Sequence, residues 1–328
     1  MNERIVILGG GYGGALAAAR LARRGVPVTL IDARNSLVER IRLHQVAAGD
    51  DVPPIPYARI FRNLPVRFLQ TRVASIDRER KLINGTIPYD KLVYALGSAH
   101  APLEPIGNAR SVAVIGGGLT GIEFASEIAD RHPDVKVTLV DAGIIGADLS
   151  PNAQRHLRAW FEEHGVTLIE NHRVVDTPAA DAVFWCTSFA LSPIARESGL
   201  EVNARGQILV DDQLRSSDPD IYAIGDAADF RGRRMSCAIA LPMGAYIGDL
   251  LAGATTDPFG FAFFIRCISL GRNDGIVQFV HGDDTPKDLC LTGRTAAWVK
   301  ELICRFTVMS IRLESRGIHY RWPKMEAA

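Results

Sequence analysis

Neither charge is in excess in this 328-residue chain: 37 lysines and arginines face 37 aspartates and glutamates. A nucleic-acid binder would carry a basic surplus, so that class is set aside. No run approaches the roughly 18 apolar residues that cross a bilayer. The five cysteines (Cys186, Cys237, Cys267, Cys290 and Cys304) are scattered, with no C-x-x-C pair. That spacing suits neither a disulfide framework nor a metal knuckle, and it reads as a reducing compartment. Zinc-hydrolase H-E-x-x-H and serine-hydrolase G-x-S-x-G signatures are missing as well. His44, His156, His164 and His172 accordingly read as surface residues. The opening Met1-Asn2-Glu3-Arg4 leads straight into an apolar strand without the pattern of a secretory signal, so the cytoplasm is the expected location.

What is present is an ordinary globular composition, 47% apolar and 23% charged. The length exceeds the roughly 250–300 residues at which one core stops growing, so more than one domain is expected. A motif occurs twice. Arg4 to Leu8 reads as a buried strand, Gly9 to Gly14 as a glycine turn, Ala15 to Arg24 as a helix, and Val28 to Ile31 as a strand closing on Asp32. The same grammar returns in Val112 to Ile115, Gly116 to Gly121, Ile122 to Arg131, and Val135 to Val140 closing on Asp141. Two parallel βαβ units follow, each with a ligand site at its βα turn. Val66 to Ile76 and Lys81 to Ile87 read as an antiparallel meander, Tyr89 to Gly97 as a buried strand, and Pro102 to Pro105 as a linker.

Each glycine in G-x-G-x-x-G has a task. Gly9 and Gly116 permit the tight turn, Gly11 and Gly118 let backbone N–H groups approach a pyrophosphate, and Gly14 and Gly121 let helix pack on strand. Asp32, 23 residues after Gly9, and Asp141, 25 after Gly116, stand where a carboxylate meets a ribose. Two such sites suggest two cofactors, a nicotinamide that gives a hydride and a flavin that takes it. Asp141 is followed by Ala142-Gly143-Ile144, with no arginine for a 2′-phosphate, so NADH is expected over NADPH.

These residues resemble the pyridine-nucleotide-dependent FAD oxidoreductases with two dinucleotide-binding domains, over about residues 1–260. Within them the chain looks most like type II NADH dehydrogenases and apoptosis-inducing-factor-like quinone reductases. The resemblance implies an α/β fold: two Rossmann-like domains of three-layer ββα type plus a small C-terminal region. The implied division is 1–108 and 217–260 for FAD, 109–216 for NAD, and 261–328 for the rest. For FAD it implies Gly9, Gly11, Tyr12, Gly13, Gly14, Asp32, Ala33, Arg34, Val73 by the adenine, Ala95, Gly97, Gly225 and Asp226. For NAD it implies Gly116, Gly118, Leu119, Thr120, Gly121, Glu123 and Asp141. Glu123 should face the nicotinamide. Arg42, Gln45 and the helix start near Ala240 are candidates for tuning the flavin ring.

Departures bear on the acceptor. Ala238, Pro242 and Met243 stand where quinone-reducing relatives have glutamines, and no cysteine pair supports a thiol relay. Electrons then leave the flavin directly for a small acceptor such as a quinone. A slow-turnover FAD/NAD sensor or interaction protein, and a reductase for a ferredoxin or rubredoxin, are the other readings. Trp298, Val299, Leu302, Ile303, Phe306, Met309 and Leu313 recur at helical spacing beside Arg294, Lys300, Arg305 and Arg312. Such a helix packs on the chain's own core or on a second subunit as a homodimer, or rests peripherally on the inner face of an anionic membrane through 294–313.

Overall fold

The computed structural model describes residues 3–99, 105–187 and 189–322. Positions 100–104, which hold most of the expected linker, lie outside them. Among the described residues two parallel sheets stand at the centre of an α/β fold. The N-terminal sheet runs Ile221–Ala223, Lys91–Tyr94, Ile5–Leu8, Val28–Asp32, Val66–Gln70. The middle sheet runs Thr167–Ile169, Lys136–Val140, Ser111–Ile115, Ala182–Trp185. In both, the glycine-loop strand is central, so the loop emerges between neighbours at the strands' carboxyl ends, where such sheets bind ligands.

The helices that follow the loops are Tyr12–Arg23 and Leu119–Arg131. The first is rich in alanine and ends as Gly25 takes φ +78°. Its small face lets the Cys237–Leu251 helix come close: a Cβ on Gly244 would overlap the Gly13 backbone. One apolar core joins Leu8, Leu16, Leu30, Val93 and Ile247; a second joins Val114, Ile122, Phe124 and Leu139.

Val66–Gln70 departs from its expected place in the meander. It is the outer strand of the N-terminal sheet, and its alternating residues suit an edge with one face to solvent. The meander is made by the two-residue strands Ile76–Asp77, Leu82–Ile83 and Ile87–Pro88. No strand occupies the corresponding stretch 170–181. The far side of the middle sheet, with Ala113, Ile115, Val140 and Val183, is therefore thinly covered, by Val174 and Ala180.

A C-terminal antiparallel sheet, Ile265–Leu270, Asp274–Val280 and Pro286–Thr292, carries the Gly293–Ser315 helix. Buried Arg20 fastens that helix to the N-terminal core, with Nη2 2.7 Å from Glu314 Oε2 and Nη1 2.8 Å from Asp249 Oδ2. No helix among the described residues is long and apolar enough to cross a membrane.

Candidate functional site: two glycine cradles and a shared chamber

The two loops repeat one geometry. Gly9 and Gly116 hold φ at +98° and +114°, a region that L side chains rarely adopt. A Cβ on Gly14 or Gly121 would overlap the carbonyl of Gly9 or Gly116. A Cβ on Gly11 or Gly118 would meet no atom within 4 Å, since it would project into open space at a helix N-terminus. That pattern leaves unpaired N–H groups facing room for a diphosphate, so both cradles fit a dinucleotide.

Each closing acid pins its own loop. Asp32 accepts from Gly10 N at 2.8 Å and Arg34 N at 2.8 Å. Asp141 accepts from Gly117 N at 2.6 Å and Gly143 N at 2.7 Å. A carboxylate offers about four lone-pair sites, so acceptor capacity remains for ribose hydroxyls. Tyr57 OH locks the first loop further by donating to Gly10 O at 2.9 Å.

Two connected spaces lead from the first cradle. A groove of about 800 Å³ is lined by Gly9, Gly11, Asp32, Ala33, Arg34, Val73, Ala95 and Gly97, which brings Val73, expected by the adenine, together with Asp32 and other residues expected beside FAD. A chamber of about 300 Å³ is lined by Gly11, Tyr12, Gly13, Gly14, Gly225, Asp226 and Ala240 from one side, and by Leu119, Thr120 and Glu123 from the second loop helix. Asp226 sits in the Gly225–Ala227 turn, where its Oδ2 accepts from Ser98 Oγ at 2.7 Å, and it caps no long helix. Ala240 lies in the first turn of the Cys237–Leu251 helix, whose positive end opens on the chamber.

Arg42 and Gln45 are not in this chamber. Their side chains line a separate polar cavity, where Arg42 Nη1 lies 2.9 Å from Glu301 Oε2 and 3.0 Å from Gln45 Oε1. The segment 40–47 begins as a 3-10 turn at Arg40–Arg42, and this sends Arg40, Leu43 and His44 inward instead. Arg40 lines both groove and chamber. It donates to Ser98 O and Ser98 Oγ, and burial lowers its pKa against the opposing pull of the Asp226 charge. A guanidinium so placed suits the middle of a dinucleotide.

His44 corrects the surface role expected of it, and Lys300 is buried beside it: they are 5% and 7% exposed. Lys300 Nζ lies 2.7 Å from Glu123 Oε1, and Glu123 also accepts from Ser269 N at 3.0 Å and Ser269 Oγ at 3.3 Å. Burial alone would raise the Glu123 pKa, but Lys300, by its charge and its hydrogen bond, outweighs it and holds the carboxyl below its usual range. Burial opposes the charge on Lys300, yet its partner Glu123 raises its pKa. Burial pushes His44 down to about 4, so its ring is neutral at pH 7 and its 3.9 Å approach to Glu123 is no ion pair. The signal that sequence reading missed is a lysine set within an apolar stripe on a helix.

Cys237 and Cys267 also line the chamber. Burial raises the Cys237 thiol and pushes Cys267 up to about 12, which disfavours the thiolate a relay would need. No disulfide is formed among the described residues.

Known proteins share this architecture. The chain is 25% identical over 332 residues to ferroptosis suppressor protein 1 of Homo sapiens, covering 84% of this chain and 88% of that protein. It is 24% identical over 278 residues to NADH dehydrogenase-like protein YutJ of Bacillus subtilis (strain 168), covering 69% and 77%. The fold matches the solved structure of NDH2 from Plasmodium falciparum in complex with NADH, with TM-score 0.79 at 14% identity over 96% of this chain and 98% of that one. Residues 3–244 match the family model for pyridine nucleotide-disulphide oxidoreductases, and with both cradles in place the chain belongs to that family as an oxidoreductase using FAD and a pyridine nucleotide.

Proposed function

We propose that this protein is an NADH oxidoreductase that passes electrons directly to a quinone. The observation that carries the reading is the chamber wall: Glu123, on the helix of the second cradle, holds the ammonium of Lys300 beside the space reached from the first. FAD bound in the first cradle supplies a hydride acceptor and an electron outlet. The residues of the chain supply the rest. Gly9, Gly11 and Gly14, Arg40 and Asp226 hold the flavin nucleotide; Gly116, Gly118, Gly121 and Asp141 hold NADH. Asp141 disfavours a 2′-phosphate by repulsion. Holding both rings in one small space supplies much of the rate, up to about 7–11 kcal/mol in well-aligned cases.

A quinone suits the remaining surfaces. Ile265, Ile303 and Met235 give the chamber an apolar side, and Lys300 offers a proton to an oxygen gaining negative charge. The absent glutamines matter less in this geometry. Met243 is spent on the fold, its sulfur accepting from Gly225 N at 3.2 Å, and the polar contact comes from Lys300 on another element.

The quinone pool indicates a place of work. One face of the Gly293–Ser315 helix is buried through Ala296, Lys300, Cys304 and Ile311, while Trp298, Leu302, Phe306 and Met309 stay exposed beside Arg305, Arg312 and Arg316. This stripe and its arginines suit an anionic membrane surface. Flotation with phosphatidylglycerol vesicles should carry the wild type and leave behind the W298E/F306E double variant. Equal flotation of both removes the membrane reading, and dimerisation lost in the variant would assign the stripe to a second subunit.

The decisive assay is rapid mixing of the FAD-loaded protein, first with NADH and then with a quinone. Bleaching by NADH, followed by reoxidation by quinone faster than by dioxygen, supports the proposal; a long-lived charge-transfer complex that no quinone discharges refutes it.

A further inference from the structure

The reaction just proposed needs a proton as well as a hydride. Two rings bound in the chamber would displace water from it, so the proton would need another door. Lys300 lines two cavities: the ring chamber, and a separate space of about 460 Å³ that Ser269 also lines. The walls of this second cavity are charged. Arg42 Nη2 lies 2.9 Å from Glu301 Oε1, Arg272 Nε lies 2.8 Å from Glu127 Oε1, and Arg272 also pairs with Asp50. A polar space of that size holds water, whereas an apolar one would stay dry. Between the two cavities stand Glu123, Lys300, Ser269 and His44 in one polar chain, with Ser269 Oγ 3.3 Å from Glu123 Oε1 and 3.4 Å from His44 Nε2.

We propose that the cavity walled by Arg42, Asp50, Arg272 and Glu301 is the water-filled proton entrance of the enzyme, through which Lys300 recovers the proton it gives to the acceptor. The balance is simple. A quinone becomes a quinol by taking a hydride from the loaded enzyme and one proton from Lys300 Nζ; the neutral amine then takes a proton from water in this cavity, and that water is restored from bulk. Nicotinamide and acceptor can thus come and go without blocking the proton's path. The inference rests on the reading of Lys300 as proton donor.

Filling the entrance tests it. In Ala297→Trp the new side chain occupies the second cavity from its lining, and Ala297→Ser serves as a control of small size. Bleaching of the FAD-loaded A297W protein by NADH and its reoxidation by ferricyanide, which takes electrons only, should stay within twofold of wild type. Reoxidation by quinone should slow by about tenfold. A crystal structure of the FAD-bound wild type should show ordered water from Glu301 to Lys300 Nζ. Unchanged quinone reoxidation in A297W, equal slowing with all reagents, or a dry cavity overturns the entrance. Lys300→Met separates the two ideas: if it too leaves quinone reoxidation unchanged, the donor reading itself fails.

Discussion

Lys300 and Glu123, 177 positions apart in the chain, meet at 2.7 Å with their side chains only 9% and 11% exposed. The pair ties the C-terminal helix to the helix of the second glycine cradle. Removing one member of a buried pair strands the other charge, at a cost of about 3–5 kcal/mol. Lys300→Met should therefore lower the urea midpoint markedly, and Glu123→Gln added to it should restore part of the loss. Additive losses in this double-mutant cycle would contradict the pairing.

The glycines separate binding from folding. Gly118→Val places its side chain in open space that only a bound diphosphate would fill. It should leave the melting temperature and flavin content intact while lowering kcat/KM for NADH about tenfold to a hundredfold. Gly11→Val should instead yield colourless protein. Gly121→Ala, forced against the Gly116 carbonyl, should destabilise the fold itself. Thermal melts with flavin absorbance distinguish the three.

Asp141 has two duties, and its substitution should reveal both. Asp141→Ala frees the Gly117 and Gly143 N–H groups, so NADH kcat/KM should fall about tenfold or more even though the repulsion of a 2′-phosphate is gone. Adding Ala142→Arg should then favour NADPH. An unchanged NADH/NADPH ratio in the double variant would remove the selectivity role from Asp141.

His44 sets a pH dependence. Its folded pKa, about 4, lies below the ordinary 6.5, so the unfolded ring takes a proton that the folded ring refuses. Stability is full above pH 6.5 and declines as the pH falls towards 4, with a loss of about 3 kcal/mol. His44→Gln should flatten this limb of the stability profile in urea titrations at successive pH values. A profile unaltered by the substitution would mean that His44 accepts its proton in the native state.

The parallel sheets and both cradles are legible in the sequence because their signals are local: a glycine needed for positive φ at Gly9, an apolar strand before it, an acid at the end of the next strand. The chamber wall is not. Lys300 belongs to a helix whose spacing resembles that of any amphipathic helix, and its burial is decided by Glu123, which tertiary packing alone brings near. Arg42 and Arg40 are two positions apart, and a 3-10 turn at Arg40–Arg42 decides which faces inward. Val66–Gln70 was misleading because an edge strand alternates like a meander strand.

The central claim is that one chamber seats a flavin against a nicotinamide. Anaerobic addition of one equivalent of NADH to the FAD-loaded protein, followed at 450 nm, tests it most directly. Loss of the flavin band within seconds, slowed about tenfold or more in Gly118→Val at the same NADH concentration, is the predicted result. A protein that binds no FAD, or whose flavin band NADH leaves untouched, would contradict it.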